Sequence, residues 1–475
     1  MKFPFLIRPL AMAALLLLLN ACAPVLEIQE ANLNLPEAYL QSTDSTNAAD
    51  LQWTVFHDDP YLVALIDSAL HKNQELRIVQ QEIAIARSEV LARKGEYMPS
   101  VNLGLGGGVD KTARYTPLGA NEATTDITPG KEMPDPVPDL MLGAFANWEV
   151  DIWRKLRNAK EAAANRYMGS QEGRNFLVTT LVAEIASEYY DLLALDNQMA
   201  LIKQNITLQS DALEVVKLQK QSGRVTELAV RRFEAQLLRT KSLQFDLQQE
   251  IVEKENRINF LLGRYPQPIE RESQNFLALV PKVVATGVPA QLLAHRPDVR
   301  QAEYELAAAK LDVRSARAQF YPSLDIRAGL GLQAFNAAYL LKTPESMMYS
   351  MTGDLVAPLV NRRALKAQYA TASARQFQAV VNYEQTVLNA YIEVYNQVNR
   401  VDNLHQSYEL LCQEVDALTR AIDISNELFR SARADYMEVL MTQRDALEER
   451  MELIETKKAQ MQAMVRMYRA LGGGW

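Results

Sequence analysis

The cysteine at position 22 has the most specific chemistry in this sequence. It follows a charged start and an apolar run over residues 10–19, typical of a secretory signal peptide and shorter than the roughly 20 residues of a membrane-spanning helix. The preceding Leu19-Asn20-Ala21 resembles the bacterial lipobox, in which the cysteine is acylated, with palmitate among its acyl chains, and becomes the first mature residue. We therefore expect lipidation of Cys22. The alternative is an ordinary signal peptide that contains a cysteine.

The residue after this cysteine indicates to which membrane the protein is exported. In bacterial lipoproteins an aspartate at this position retains the protein at the inner membrane, whereas Ala23 is compatible with export to the outer membrane. Acyl chains on one cysteine hold a protein firmly, because each buried methylene contributes about 0.8 kcal/mol. We expect an anchor in outer-membrane lipid.

Five charged side chains near the C-terminal end share one face of a predicted helix. They are spaced four, three, four and three residues apart, at Asp416, Arg420, Asp423, Glu427 and Arg430. If several copies surrounded a pore, the acidic members would form rings that attract cations and repel anions. The alternative is an ordinary solvated stripe on a helix surface.

Motifs of the common enzyme classes are absent from the sequence. It contains no GxSxG, P-loop or HExxH motif, and the run at residues 104–108 lacks the last glycine of a dinucleotide-binding loop. The four histidines are scattered, and Cys22 and Cys412 form no CxxC pair. We therefore expect no enzymatic activity, no cofactor and no metal site. A net charge of −8 without a basic block argues against nucleic-acid binding.

Two helical stretches are far longer than those of ordinary globular proteins. Residues 154–221 contain no proline and would reach roughly 100 Å as one helix. Residues 359–471 contain neither proline nor glycine, and we predict a reversal at 431–435 by analogy with Ser222-Gly223-Arg224. Apolar positions recur every three or four residues, so neighbouring helices must cover these stripes.

Four segments alternate between apolar and polar residues in the manner of β-strands. They are residues 100–110, 141–150, 323–335 and 349–357. The period of two persists over about ten residues, the length of a tilted transmembrane strand. The alternative is a half-buried four-stranded sheet packed on helices in a water-soluble body.

Four membrane strands cannot form a closed sheet by themselves. Backbone groups in lipid must all be paired, and single-chain barrels have at least about eight strands. Two, three or four copies would supply eight, twelve or sixteen strands. A lumen wide enough for solutes favours twelve or more.

The sequence contains two copies of one unit. Lys94–Ser100 and Arg317–Ser323 share a pattern, and each lies between a helical and an alternating segment. A proline-rich linker joins the copies. The expected boundaries are 1–21 for the signal peptide, 22–57 for the lipid-anchored segment, 58–263 for the first copy, 264–289 for the linker and 290–475 for the second copy.

Five short stretches together carry a family resemblance. They are Trp53–Phe56 with Asp58 and Asp59, Leu65–Leu70 with Asn73, Arg296–Val299, Phe320–Ser323 and the ending Ala470–Trp475. With them, nearly the whole mature chain resembles the outer-membrane factors of tripartite efflux systems, the TolC-like and OprM-like ducts, in their lipoprotein branch.

The resemblance implies a mainly α-helical fold with a β-barrel portion. In that family a homotrimer shares one twelve-stranded barrel, and a helical barrel extends about 100 Å into the periplasm. The implied function is an exit duct in the outer membrane of a Gram-negative bacterium, passively conducting small molecules. The implied partners are a periplasmic adaptor and an inner-membrane pump of the proton-driven resistance-nodulation-division type.

The resemblance also implies a gate at the periplasmic tip, over residues 221–227 and 422–435. The candidate pore and tip residues are Asp416, Asp423, Glu427, Asp435, Tyr436, Arg224 and Arg433. The two arginines would pair with acids to hold the tip shut, each exposed pair contributing at most about 1 kcal/mol. Two alternatives are a type I secretion duct of the same fold and a periplasmic adaptor or coiled-coil scaffold.

Overall fold

The computed structural model is mainly helical and contains one four-stranded sheet, which confirms the predicted fold class for a single chain. The structure describes residues 23–34, 36, 39, 52–127, 129–282, 287–431 and 433–475. The predicted signal peptide and the lipidation site Cys22 lie outside the described residues.

The helices and strands follow one another in an order that occurs twice. In chain order they are α1 (Trp53–Phe56), α2 (Pro60–Lys72), α3 (Gln74–Tyr97), β1 (Ser100–Asp110), α4 (Pro117–Thr124), β2 (Val137–Val150), α5 (Lys155–Gln221), α6 (Glu227–Leu261), α7 (Leu292–His295), α8 (Pro297–Ala318), β3 (Ser323–Ala334), α9 (Ala337–Leu340), β4 (Met347–Val356), α10 (Arg363–Arg430) and α11 (Tyr436–Ala470). Each strand pair thus follows a helix and precedes a very long one. No helix within the described ranges combines the length and apolarity needed to cross a membrane.

The chain forms two compact units. Of the described residues, the first comprises those within 23–30, 84–168 and 304–381, and the second comprises those within 31–83, 169–303 and 382–475. All four strands belong to the first unit. Each unit contains segments from both predicted copies, so the boundaries of the copies stay a prediction.

The sheet of the first unit is antiparallel, in the order β1-β2-β3-β4. Leu103, Ala144, Leu330 and Tyr349 lie side by side across it. This apolar face is solvent-exposed in the single chain, with Leu103 87% and Tyr349 83% exposed. The outer edges of β1 and β4 pair with no other strand of the described chain. Neither the face nor the edges are covered by the described residues of one chain, and both need a covering.

Glycines on the opposite face of the sheet allow an aromatic ring to lie flat on the backbone. A Cβ added at Gly104, Gly143 or Gly329 would lie 3.1–3.2 Å from atoms of the Phe145 ring. Larger residues at these positions would lift the ring away from the sheet. The polar side chains of Asn147, Arg327 and Thr352 share this face.

The core of the second unit lies where α2, α5, α6 and α11 pack together. Its fully buried or nearly buried side chains include Ile66, Ile185, Ile258 and Met464, one from each of these helices. Each helix contributes an apolar stripe, so every stripe is covered by the others. Asp59 begins α2 by accepting hydrogen bonds from two backbone amides.

A buried histidine lies in the second unit just before α2. His57 is 3% exposed, and neither ring nitrogen has a hydrogen-bond partner in the described part of the chain. Burial and the nearby charge of Lys282 lower the pKa of this imidazole from 6.5 to about 4, although Asp58 acts in the opposite direction. His57 is therefore neutral in the folded protein at neutral pH.

Acidification from about pH 7.5 to about pH 5 should destabilise the protein through His57. The unfolded chain binds a proton near pH 6.5, and the folded protein binds it only near pH 4. The free energy of unfolding is therefore highest above the unfolded pKa and decreases as the pH falls. At pH 5 the decrease is about 2 kcal/mol. Thermal unfolding at both pH values should show this additional loss in the wild type and not in His57→Phe. Equal losses in the two proteins would contradict the assignment.

Candidate functional site

The first helical reversal of the predicted tip has the geometry of a glycine-terminated helix. After α5, Gly223 adopts a φ of +70°, and the amide of Arg224 donates to the carbonyl of Gln219 at 2.9 Å. Thr226 then begins α6 by accepting a hydrogen bond from the amide of Ala229. The predicted reversal at Ser222-Gly223-Arg224 is confirmed.

The second reversal lies at residues 431–435, as predicted, between α10 and α11. The amide of Arg433 donates to the carbonyl of Leu428 at 2.8 Å and closes the end of α10. Asp435 occupies the N-cap position of α11, but its side chain makes no capping hydrogen bond. Its carboxylate is exposed to solvent.

An ion-pair network crosses the first reversal. Lys220 pairs with Glu227, whose carboxylate also lies 2.9 Å from Nε of Arg231, and Arg231 in turn contacts Glu234 at 2.8 Å. The hydrogen bond from Lys220 holds the pKa of Glu227 below its ordinary value. This network was not predicted, although Lys220 and Glu227 flank the glycine turn in the sequence.

The predicted acidic stripe divides into a compensated and an uncompensated part. All three acids, Asp416, Asp423 and Glu427, are exposed on α10. Asp416 is paired with Arg420 on the next helical turn. Among the described residues, Asp423 and Glu427 take part in no ion pair, so their charge is free to act on ions in solution.

The predicted latch arginines form no ion pair with the described residues of the same chain. Arg224 and Arg433 are exposed, and neither is ion-paired within the described ranges. The latch stays a prediction.

Tyr436 occupies a different environment from the exposed acids. It is half-buried at the start of α11 and packs, with Leu440, against a buried cluster that includes Val216 and Phe233. This contact joins α11 to the helical hairpin formed by α5 and α6. A cleft of about 270 Å³ lies alongside, between the two hairpins.

Two of the motif stretches meet at a buried arginine of the second unit. The Arg296 guanidinium, 8% exposed, contacts the carboxylates of Asp298 at 2.8 Å and Glu393 at 2.9 Å. It also donates to the carbonyl of Ala470 at 2.7 Å. Gly472, with a φ of +92°, packs so closely that an added Cβ would lie 2.5 Å from the carbonyl oxygen of His295. These motifs therefore hold the C-terminus to the start of α8.

Within the described ranges no group of three or more His, Cys, Asp or Glu side chains is placed to hold a metal ion. The two turns and the stripe on α10 stay the predicted site, and the groups they present are charged side chains. Residues 65–264 and 288–473 match the family described as outer membrane efflux protein.

The chain belongs to the outer membrane efflux protein family. Membership confirms the predicted role in efflux and the predicted location in the outer membrane. The efflux protein is 28% identical over 471 residues to the pyoverdine export outer membrane protein OpmQ of Pseudomonas aeruginosa, with 98% of this chain and 97% of OpmQ covered.

Two further comparisons extend over nearly the whole chain. The efflux protein is 24% identical over 480 residues to the "Probable outer membrane lipoprotein SilC" of Salmonella typhimurium, with 99% of each chain covered. Its fold is similar to the open state of the Neisseria gonorrhoeae MtrE outer membrane channel, with a TM-score of 0.82, 22% identity and coverage of 95% of this chain and 98% of that one.

Proposed function

We propose that the efflux protein is the exit duct of a tripartite pump, in which three copies close one twelve-stranded barrel in the outer membrane. The observation that carries this proposal is the sheet of the first unit. It has an exposed apolar face and two unpaired edges. In lipid such a face is solvated by acyl chains, but open edges are not tolerated, so β1 and β4 must pair with strands of other copies.

The polar face of the sheet supports a water-filled interior. One row across this face consists of Asn147, Arg327 and Thr352. The glycines of the same face add no side chains that would fill the interior. Two copies would give eight strands, whose interior is filled by side chains, whereas three give a passage for solutes. Small molecules are the proposed cargo, and the name of the relative OpmQ specifies export of pyoverdine.

We further propose that Cys22 carries the lipid anchor. The residues that follow this cysteine are held in the first unit, because Arg317 donates to the carbonyl of Pro24 at 3.0 Å and Tyr369 donates to that of Val25 at 2.6 Å. In Cys22→Ser, the intact mass should lack the acyl chains found on the wild type. Equal masses, apart from the substituted atom, would contradict lipidation.

The uncompensated acids of α10 are the proposed charge rings of the tip. Three copies of Asp423 and Glu427 would give six negative charges around the passage, which favour cations. The proposed partners are a periplasmic adaptor, contacting the cleft between the hairpins, and an inner-membrane pump of the resistance-nodulation-division type. The predicted division into copies at 58–263 and 290–475 belongs to the same proposal.

Removing the charges of Asp423 and Glu427 together should lower the cation preference of the channel by about twofold or more, because rings of carboxylates set ion selectivity. The measurement is the reversal potential of Asp423→Asn/Glu427→Gln in planar bilayers under a salt gradient. Asp416→Asn/Arg420→Gln is the matched control, because it removes a compensated ion pair without changing the net charge. Equal shifts in the two variants would exclude these acids as the selective rings.

The duct itself is tested by oligomeric state and conductance. The protein extracted from outer-membrane fractions should run as a heat-sensitive trimer and conduct ions in planar bilayers. A deletion strain should accumulate at least one exported small molecule. Recovery as a soluble monomer without conductance would overturn the proposal and favour a periplasmic scaffold.

A further inference from the structure

A cleft of about 330 Å³ lies in the first unit at the end of the sheet where β2 stops and β3 starts. Its walls include Leu26, Trp153, Arg154, Arg314, Arg317 and Tyr321. Val150, the last residue of β2, pairs with Leu324 of β3. Trp153 and Tyr321 of the cleft lie within two or three residues of these strand ends, and Arg314 and Arg317 lie on the last turns of α8 before β3.

Two aromatic side chains form one wall of the cleft. The rings of Trp153 and Tyr321 are stacked with centroids 4.7 Å apart, and Nε1 of Trp153 donates to the carbonyl of Pro322 at 2.9 Å. Both rings are amphipathic and stand just beyond the strands. Aromatic side chains in this position mark the level of lipid headgroups in membrane proteins.

The cleft has an excess of positive charge. It is lined by three arginines, 154, 314 and 317, and by a single acid, Glu161, which lies 2.8 Å from the guanidinium of Arg154. Within the described ranges Arg314 has no ion-pair partner, and Arg317 contacts only a backbone carbonyl by hydrogen bond. Two guanidinium groups are therefore available to an anion.

The neighbouring acids do not offset this charge. Glu149 is paired with Lys155, and Asp151 with Arg157. Arg154 itself has a φ of +61°, a conformation unfavourable for a residue with a side chain. Backbone strain of this kind is found preferentially at functional sites.

The chain also brings the expected lipid anchor near the cleft. Leu26 lines it and lies four residues after Cys22, so the two positions are at most about 14 Å apart along an extended chain. Acyl chains on Cys22 would thus enter the bilayer beside Trp153 and Tyr321. At such a level the headgroups of membrane lipids bring phosphate to the cleft.

We infer that this cleft binds the phosphate group of a phospholipid, with Arg314 and Arg317 as its donors and the acyl chains lying along Trp153 and Tyr321. Guanidinium groups bind phosphate through paired, charge-assisted hydrogen bonds. The bound lipid would fix the level of the strand ends in the bilayer. The inference rests on the proposed duct, since it requires the strands to cross the membrane.

The test is native mass spectrometry of the full-length oligomer in detergent, titrated with phosphatidylglycerol. We expect up to one tightly retained lipid per chain in the wild type. Arg314→Ala should bind about tenfold more weakly, the effect of losing one charge-assisted contact, whereas Arg314→Lys should retain part of the affinity. Arg375→Ala, which removes an exposed arginine of α10 away from the cleft, should bind like the wild type.

Three results would overturn the inference. The first is equal retention of lipid by Arg314→Ala and the wild type. The second is displacement of the lipid by an equal concentration of inorganic phosphate, which would assign the cleft to a free anion. The third is equal retention of a phosphate-free glycolipid. Conductance of the same wild-type preparation separates this inference from the proposed function: a conducting trimer without the lipid preference refutes only the inference.

Discussion

Replacing Arg296 by alanine should lower the free energy of unfolding of the efflux protein by about 3–5 kcal/mol, the usual loss when one partner of a buried ion pair is removed. The guanidinium joins Asp298, Glu393 and the carbonyl of Ala470. Burial alone would raise the pKa of Glu393, but Arg296 and Arg469 outweigh it and hold that pKa below its ordinary value. Without Arg296, the carboxylate of Glu393 keeps only the more exposed Arg469.

The measurement is the midpoint temperature of thermal unfolding, together with the yield of heat-sensitive oligomer. Arg257→Ala is the matched control, because Arg257 forms a single ion pair, with Glu184, and both side chains are about one-third or more exposed. That surface pair should contribute at most about 1 kcal/mol. Arg296→Lys should fall between the two, since it keeps the charge and loses the paired hydrogen bonds. A loss no larger in Arg296→Ala than in Arg257→Ala would refute a structural role for the cluster.

The regular elements could be predicted because their signals are local. The absence of proline from 154–221 indicated one uninterrupted helix, and the second reversal at 431–435 was predicted by analogy with Ser222-Gly223-Arg224. The prediction of the strand ends was less accurate, since β2 begins at Val137, four residues before the predicted start. Pro138 and Asp139 interrupt the apolar alternation there, yet both pair with β1.

Features that depend on tertiary contacts could not be predicted in the same way. Arg296 and Ala470 are far apart in the sequence, and only the folded chain shows that their two motifs meet. The helix α4 was not predicted. Its signals are nevertheless present in the sequence, since Thr116 caps it and Pro117 occupies its first turn. The proposed roles of Asp423 and Glu427 require other copies of the chain, so their spacing within one chain left a solvated stripe as the alternative.

The second large effect is expected at the centre of the sheet, where β2 and β3 join the two halves of the chain. At Gly331 an added Cβ would lie 2.5 Å from the carbonyl oxygen of Leu142 and 2.7 Å from Cα of Gly143. Both are backbone atoms of the neighbouring strand, so no side chain can move aside. Overpacking in a core costs about 1–3 kcal/mol, and separating two paired strands should exceed that range.

Gly331→Val should therefore abolish the heat-sensitive oligomer in outer-membrane fractions and, with it, conductance in planar bilayers. A barrel that closes only by joining several chains cannot tolerate a broken ladder within each of them, because unpaired backbone groups are excluded from lipid. Gly353→Val on β4 is the matched control, since no atom lies within 4 Å of its added Cβ. Normal oligomer and conductance in Gly331→Val would mean that β2 and β3 can separate without loss of the channel, and the closed sheet would no longer account for the duct.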